Sequence, residues 1–270
     1  MLRKLMKFLL TITFIIVFFY LNNNWLTVSN YTVSSSEIPS SFDNYRIVQV
    51  SDLHDATFGE NQQRLVNKIK QAKPNMIVIT GDLIDSNRYN LQNSLDLIDQ
   101  IVELSNVYYV TGNHEVATND VDRIKEELTT RGVRVLSNET LNIERNGASI
   151  SLTGIDDPLM GQTALQMISN SGVPSDLFTV LLAHRPEDFQ SYVDAGIDVT
   201  FSGHAHGGQF RIPFIGGLVA PGQGYFPKYT AGVYEQEQSK LVVSRGLGNS
   251  IIPIRLFNLP EIVVVTLKSS

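Results

Sequence analysis

The feature that most constrains this chain is a repeated one: five short runs of β-branched and other apolar residues, each ending in a polar cluster. They occupy 46–50, 76–80, 107–111, 180–183 and 199–202. Runs of this length and composition read as buried strands. Between them, 60–73, 91–105, 121–131 and 186–195 carry apolar residues at helical spacing. In the first, Leu65, Ile69 and Ala72 fall at i, i+4 and i+7 and form one face. Gly132 and Gly196 follow as helix stops. Strands alternating with helices predict βαβ units with parallel pairing. After Ser202 the helical spacing ceases. The stretches 209–213, 230–235, 240–245 and 262–268, with 149–153 earlier, read as strands of a second sheet. The expected fold class is α/β, with two packed mixed β-sheets flanked by helices.

Each of the five runs ends in residues that can hold a cation. The first is followed by Asp52 and His54, the second by Gly81, Asp82 and Asp85. The third leads into Gly112, Asn113, His114 and Glu115, the fourth into His184, and the fifth into Gly203, His204 and His206. Taken singly, each has a plain structural reading. An Asp-x-His suits a surface loop, Gly-Asp a turn, and Asn-His-Glu a helix start, with Asn as cap and Glu at the positive end of the dipole. A lone histidine is usually a satisfied core residue. Together they say more, because the chain has five histidines and all five stand at strand ends. In α/β sheets the carboxyl ends of strands are where ligands gather. The Gly before three of the clusters is expected to let the backbone turn sharply as it leaves the sheet.

The chain contains no cysteine. Disulfides, thiol nucleophiles, thiolate ligands and iron–sulfur clusters are thereby excluded, and a metal would be held by His, Asp, Glu or Asn. The net charge is −6, and three of the 21 basic residues, Arg3, Lys4 and Lys7, precede an apolar N-terminal run. No basic tract follows, so the sequence supports no nucleic-acid partner, and no protein partner is evident in it. The N-terminal run, Phe8 to Leu21, is uncharged; extended back to Leu5 across Lys7 it reaches about 17 residues, the short end of what spans a bilayer. Lys7 is placed to snorkel and Trp25 to sit at the far interface. A signal peptide shares these parts, but Asn22, Asn23, Asn24 and Trp25 stand where a small-residue cleavage site belongs. The expectation is a single-pass anchor over 1–26, a linker or initial edge strand over 27–44, and a catalytic domain over 45–270. Positive flanking charge predicts a cytoplasmic N-terminus and an extracytoplasmic domain at the cell membrane.

The order Asp-x-His, Gly-Asp-x-x-Asp, Gly-Asn-His-Glu, His, Gly-His-x-His resembles the calcineurin-like metallophosphoesterase superfamily. The likeness to its small bacterial membrane-anchored branch runs on through Gly207–Pro213 and Ser244–Gly248. That branch includes enzymes similar to UDP-2,3-diacylglucosamine pyrophosphatases and exported phosphodiesterases. The resemblance implies a four-layer α/β/β/α fold and two divalent metal ions, Mn, Fe or Zn. One would be held by Asp52, His54, Asp82 and His206, and the other by Asp82, Asn113, His184 and His204. Asp82 would bridge through its two oxygens, and a hydroxide between the metals would attack phosphorus. His114 would stabilise the transition state or protonate the leaving oxygen, oriented by Asp85; as a bland alternative, Asp85 caps a helix. Glu115 is expected to serve local structure. Arg211, Arg245 and Arg255 are candidates for binding substrate phosphates, or are plain surface charges. Ser86-Asn87 stands where protein Ser/Thr phosphatases carry Arg-Gly, and Asp85 where purple acid phosphatases place a metal-binding Tyr. The implied substrate is a phosphodiester or pyrophosphate, lipid-linked or in the envelope. A phosphomonoesterase and a non-catalytic metal-stabilised binding module stay as alternatives.

Overall fold

The computed structural model describes residues 1–249 and 253–270. In chain order it begins with helix α1 (Leu2–Asn24), strands β1 (Thr27–Ser35) and β2 (Arg46–Val50), α2 (Gln63–Ala72), β3 (Met76–Thr80), α3 (Leu91–Ile101) and β4 (Val107–Val110). Next come α4 (Asn113–Ala117), α5 (Val121–Thr130), β5 (Arg134–Val135), β6 (Glu139–Arg145), β7 (Ala148–Gly154), α6 (Ala164–Asn170), β8 (Thr179–Leu182), α7 (Phe189–Asp194) and β9 (Val199–Ser202). Four two-residue strands follow: β10 (Arg211–Ile212), β11 (Gly216–Gly217), β12 (Val219–Ala220) and β13 (Gly224–Tyr225). The chain closes with β14 (Gly232–Gln236), β15 (Ser239–Val243) and β16 (Glu261–Ser269).

Two six-stranded sheets result, ordered β1-β16-β2-β3-β4-β5 and β14-β15-β9-β8-β7-β6. The five runs seen in the sequence are β2, β3, β4, β8 and β9, and they divide between the sheets, three and two. β2, β3 and β4 pair in parallel, as do β8 and β9. Both inner faces are apolar. Ile47 and Val78 from one sheet, with Val180, Phe201 and Val242 from the other, fill the layer between them. The outer face of the first sheet packs on α2, α3 and α5 through Leu65, Ile98 and Ile124. The second is covered by α6 and α7 through Met167 and Phe189. The sandwich with helices outside is as expected.

Of the two readings of 27–44, the initial edge strand is the one found: β1 pairs in parallel with β16 over nine residues from Thr27 to Ser35. Its polar sequence follows from its place at the sheet edge, where only Val33 is buried. The last strand, expected in the second sheet, lies in the first, between β1 and β2 and antiparallel to β2. The chain end therefore closes the sheet with which the fold began, and fastens the edge strand that follows α1.

α1 is unlike the rest. It has 23 residues, is long and apolar enough to cross a membrane, and is exposed along nearly its whole length. Only its last turns dock. The Asn22 side chain accepts from the Phe257 N–H at 2.8 Å, and Asn23 accepts from the Arg255 N–H at 3.0 Å. Arg64 donates to the Asn24 carbonyl at 2.8 Å.

Candidate metal centre

Strand ends from both sheets converge because the sheets are stitched at their carboxyl edges. The buried Gln49 amide of β2 donates to Thr80 Oγ1 of β3 and to the Ser202 carbonyl of β9, both at 2.9 Å. Beyond them the Asp52 N–H reaches the Gly81 carbonyl and the Gly203 N–H the His184 carbonyl, each at 3.1 Å. The turns that follow are strained. Asp52, His54, Asp82, His204 and His206 all have positive φ, between 47° and 62°. Such backbone persists only where the surroundings fix it, and it concentrates at functional sites. The three glycines differ in role from the expectation. Gly81 has φ +85° and does make a sharp turn, but Gly112 and Gly203 are needed for space. A Cβ on Gly112 would lie 2.3 Å from Asp82 Oδ1, and one on Gly203 would lie 2.3 Å from Asp52 Oδ2.

All seven expected ligands come together in two overlapping groups. In the first, His54 Nε2 lies 3.1 Å from His206 Nε2 and 3.6 Å from Asp82 Oδ2, and His206 Nε2 is 3.5 Å from Asp52 Oδ1. In the second, His184 Nε2 lies 3.1 Å from His204 Nδ1, 3.1 Å from Asn113 Oδ1 and 3.2 Å from Asp82 Oδ2. Atoms bound to one cation at about 2.1 Å are separated from each other by about 3.0 to 3.4 Å, so these edges match a coordination shell. Asp82 joins the groups through one oxygen, not two, because Oδ1 accepts the His114 N–H at 2.8 Å.

The electrostatics agree with cation binding. Burial pushes His54 down to about 3, with His114 and His184 adding to the effect. Burial also holds His204 and His206 well below the usual range, helped by His184 and His54 respectively. These are neutral imidazoles with lone pairs to give. Despite burial, the Asp82 carboxyl stays well below its usual value because His184 and His54 face it. Asp52 is pushed up to about 6, chiefly by burial. His184 is raised to about 10; Asp82, and then Asp52, outweigh its burial. The protonated ring carries the positive charge that these carboxylates call for; Nδ1 donates to the Thr80 carbonyl at 2.8 Å, and Nε2, facing the cluster, is the nitrogen whose proton a cation would displace. The atoms that face one another, His54 Nε2 and His206 Nε2 in one cluster and His184 Nε2 and His204 Nδ1 in the other, are ring nitrogens beside Asp and Asn oxygens. Such an oxygen-and-imidazole donor set suits a borderline divalent cation. The residues fit the metals that the resemblance implies.

His114 stands at the rim, its ring edge-on to His54 with centroids 4.4 Å apart. Asp85 lies close to it but is not its hydrogen-bond partner. The nearest approach, Asp85 Oδ1 to His114 Nδ1, is 3.7 Å, and the carboxylate is engaged by Arg88 and by the Asn87 N–H at 2.8 Å. The Ser86 N–H and hydroxyl lie 3.1 Å from His114 Nδ1 instead. Asp85 thus holds the loop that carries Ser86. Glu115 has the structural role expected of it. Its carboxylate accepts the N–H groups of Gly112, Asp82, Leu83 and Ile84, at 2.7, 3.0, 2.7 and 3.3 Å, tying the α4 start to the Asp82 turn.

The arginines are placed differently from the substrate-binding expectation. Arg255 is buried, and its guanidinium donates to the carbonyls of Gly248 and Arg245. Arg245 pairs with the buried Glu261 at 2.7 Å. Both are part of the fabric behind Asp52, against whose side chain Gly246 packs. Arg211 is half-buried and donates to the Gly207 carbonyl at 2.8 Å. Sequence reading missed Asp55, whose carboxylate gathers the Asp85 and Asn90 N–H groups and the Ser94 hydroxyl. Its place beside His54 was the available signal. It also missed Glu187, 3.6 Å from His204 Nε2, for which the sequence carries no signal.

A sandwich whose two sheets deliver Asp, His and Asn to a shared pair of cation-sized clusters defines a metal-dependent phosphoester hydrolase. The family profile described as calcineurin-like phosphoesterase matches residues 45–208, and the chain belongs to that family. It is 33% identical to the Bacillus subtilis metallophosphoesterase YkuE over 93% of this chain and 88% of that protein. It is 29% identical to the Escherichia coli phosphodiesterase YaeI, over 83% of this chain and 82% of that protein. A Danio rerio transmembrane protein with a metallophosphoesterase domain is 30% identical over 87% of this chain, which spans 55% of that longer protein. Among solved structures, the NAD nucleotidase of Haemophilus influenzae superposes with a TM-score of 0.50 at 14% identity. That match covers 75% of this chain and 45% of the nucleotidase, and the likeness is one of fold.

Proposed function

We propose that this chain is a membrane-anchored hydrolase of phosphodiester or pyrophosphate bonds in lipid-linked or other envelope substrates, working through two divalent metal ions. The observation that carries the reading is Asp82 Oδ2, which faces His54 Nε2 on one side and His184 Nε2 on the other. Asp52, His54, Asp82 and His206 would hold one cation, and Asp82, Asn113, His184 and His204 the other. Bound there, such ions polarise phosphoryl oxygens and lower the pKa of a water to about 7, supplying a nucleophile at neutral pH.

The remaining chemistry belongs to the protein's own side chains. His114 stands at the rim with Nδ1 turned to Ser86, and Nε2 would be the nitrogen that donates toward the leaving oxygen. Glu115, Asp55 and Asp85 keep the Asp82 and Ser86 turns in place, so the donors need little reorganisation during reaction. α1 reads as a retained anchor. The asparagines that replace a cleavage site are hydrogen-bonded into the 255–257 backbone, and the basic residues ahead of α1 favour a cytoplasmic N-terminus.

The test is a parallel assay of the full chain with Mn on bis-p-nitrophenyl and p-nitrophenyl phosphate. Turnover of the diester at least tenfold above the monoester is expected. The reverse preference would replace this reading with a phosphomonoesterase, and turnover of neither with metal bound would indicate a binding module. Intact protein in the soluble cytoplasmic fraction would remove the anchor.

A further inference from the structure

Beyond α1, the described surface carries a group of large, exposed apolar side chains. Ile212, Phe214 and Ile215 stand on the β10–β11 hairpin, Tyr225 and Phe226 on and just after β13, and Phe257 on the segment beside them. All six are exposed, and Phe214 is fully so. The two hairpins are joined, since the Leu218 N–H reaches the Phe210 carbonyl at 2.8 Å and the Phe226 N–H the Leu218 carbonyl at 2.9 Å. Contiguous exposed apolar surface of this kind marks a site of contact.

The position of α1 identifies the contact. Phe257 packs edge-on against Phe18 of α1, with ring centroids 5.4 Å apart. Phe18 lies inside the apolar run, three residues before its end at Leu21, which is about 4.5 Å along the helix axis. When that run lies in hydrocarbon, Phe257 is held at the depth of the hydrocarbon edge. It cannot withdraw, because the Asn22 and Asn23 side chains pin the backbone at Phe257 and Arg255. Phe257 shares a cavity of about 420 Å³ with Arg211, Ile212, Phe214 and Ile215. The hairpin tip is therefore beside a residue whose depth is set by the anchor. Trp25, exposed just past the helix, suits the same interfacial layer.

We infer that the β10–β11 hairpin, with Phe214 and Ile215 at its tip, is a second membrane contact, lodged in the interface of the bilayer that holds α1. The hairpin grows directly from the metal centre: Phe214 is eight residues after His206, and Asn258 donates to the carbonyls of His206 and Gln209 at 2.7 and 3.1 Å. Docking at both α1 and the hairpin fixes the metal centre against the headgroup layer, where a phosphoester borne by a lipid lies. The inference rests on the anchored reading above and gives the lipid-linked substrate a route to the site along the membrane plane.

The absence of cysteine makes the test clean. Phe214→Cys in the full Mn-loaded chain, carrying an environment-sensitive fluorophore, is reconstituted in nanodiscs of phosphatidylcholine and phosphatidylglycerol. Glu237→Cys is the reference, because the β14–β15 turn lies at the opposite end of the strands from the site. The expected result is quenching by lipids brominated on their acyl chains that is at least threefold stronger at position 214 than at 237, with protection of 214 from aqueous iodide. Absence of bromolipid quenching at 214 overturns the inference: equal iodide quenching at both positions means that water covers the patch, and protection from iodide without bromolipid quenching means that protein does. Ile215→Cys gives the same readout where Phe214→Cys does not fold. Hydrolysis of a headgroup phosphodiester in the same discs is measured separately. A label buried in lipid beside an enzyme that leaves every lipid intact keeps the docking surface and removes the lipid-linked substrate.

Discussion

The Ser86 backbone N–H lies 3.1 Å from Nδ1 of His114 and donates to it. A backbone N–H has no lone pair to offer, so Nδ1 must accept, and the neutral ring keeps its proton on Nε2. In the proposed reaction Nε2 would be the atom that donates toward substrate, with Ser86 hydrogen-bonded to Nδ1. The expected outcome is that His114→Ala retains two metal equivalents per chain while kcat falls by about 10²–10⁴, the usual range for a positioned acid. Asp85→Asn should lower kcat by roughly tenfold or less, acting through the loop. Metal analysis beside steady-state kinetics checks both, and equal losses in the two variants would restore Asp85 as the partner of His114.

Asp82 Oδ2 is shared by both clusters, and the other predicted ligands each serve one. Asp82→Ala should therefore take bound metal from two equivalents to fewer than one, whereas His206→Ala should leave one. Chelation of the native protein should abolish turnover and lower Tm, because a ligand that binds only the folded state at a hundredfold its Kd stabilises by about 2.7 kcal/mol. Restoration by Mn completes the measurement. A chelated protein with unchanged Tm and activity would remove the metal centre altogether.

Gly203 has no left-handed φ, so alanine suits its backbone, but the added Cβ would lie 2.0 Å from Ser51 Oγ and 2.3 Å from Asp52 Oδ2. Gly203→Ala should displace the Asp52 carboxylate and weaken the cluster of His54 and His206 before it affects the core. The expected signs are one metal equivalent lost and activity down by about a hundredfold, in keeping with small displacements at a reacting centre. Circular dichroism should be unchanged. Two bound metals and normal activity would show that the turn relaxes at no consequence.

Much of this was legible in the sequence because it is carried by side-chain type at fixed spacing. β2 and β3 follow their apolar runs, and the seven expected ligands stand together where the motifs place them. What escaped depends on backbone groups and on distant pairing. β1 is a polar edge strand held by β16, more than 230 residues away, so its own composition left a linker and an edge strand equally open. β6 is likewise an edge strand, partly exposed along its length, with no apolar run to announce it. The turn of His114 toward Ser86 rather than Asp85 rests on a main-chain N–H that no residue type encodes. The arginines show the limit most plainly, because a sequence does not distinguish a guanidinium aimed at substrate from one held by carbonyls, as that of Arg255 is.

Arg255 makes that distinction measurable. It is 1% exposed, and burial lowers its guanidinium to about 10, although the charge is held by the carbonyls of Gly248 and Arg245. Those carbonyls belong to the segment whose Gly246 and Gly248 press on Asp52 and the Leu53–His54 backbone. Replacing the guanidinium by the Arg255→Met side chain keeps the volume and removes the donors. Leaving two buried carbonyls unpaired should lower stability by about 2–4 kcal/mol, which in a domain of this size lowers Tm by roughly 5–15 °C. Below that Tm, KM for bis-p-nitrophenyl phosphate should stay within about threefold of native, since an interaction never made with substrate cannot be lost from binding. A tenfold rise in KM at unchanged Tm would mean that Arg255 reaches the substrate after all, and that the 245–255 segment opens during turnover.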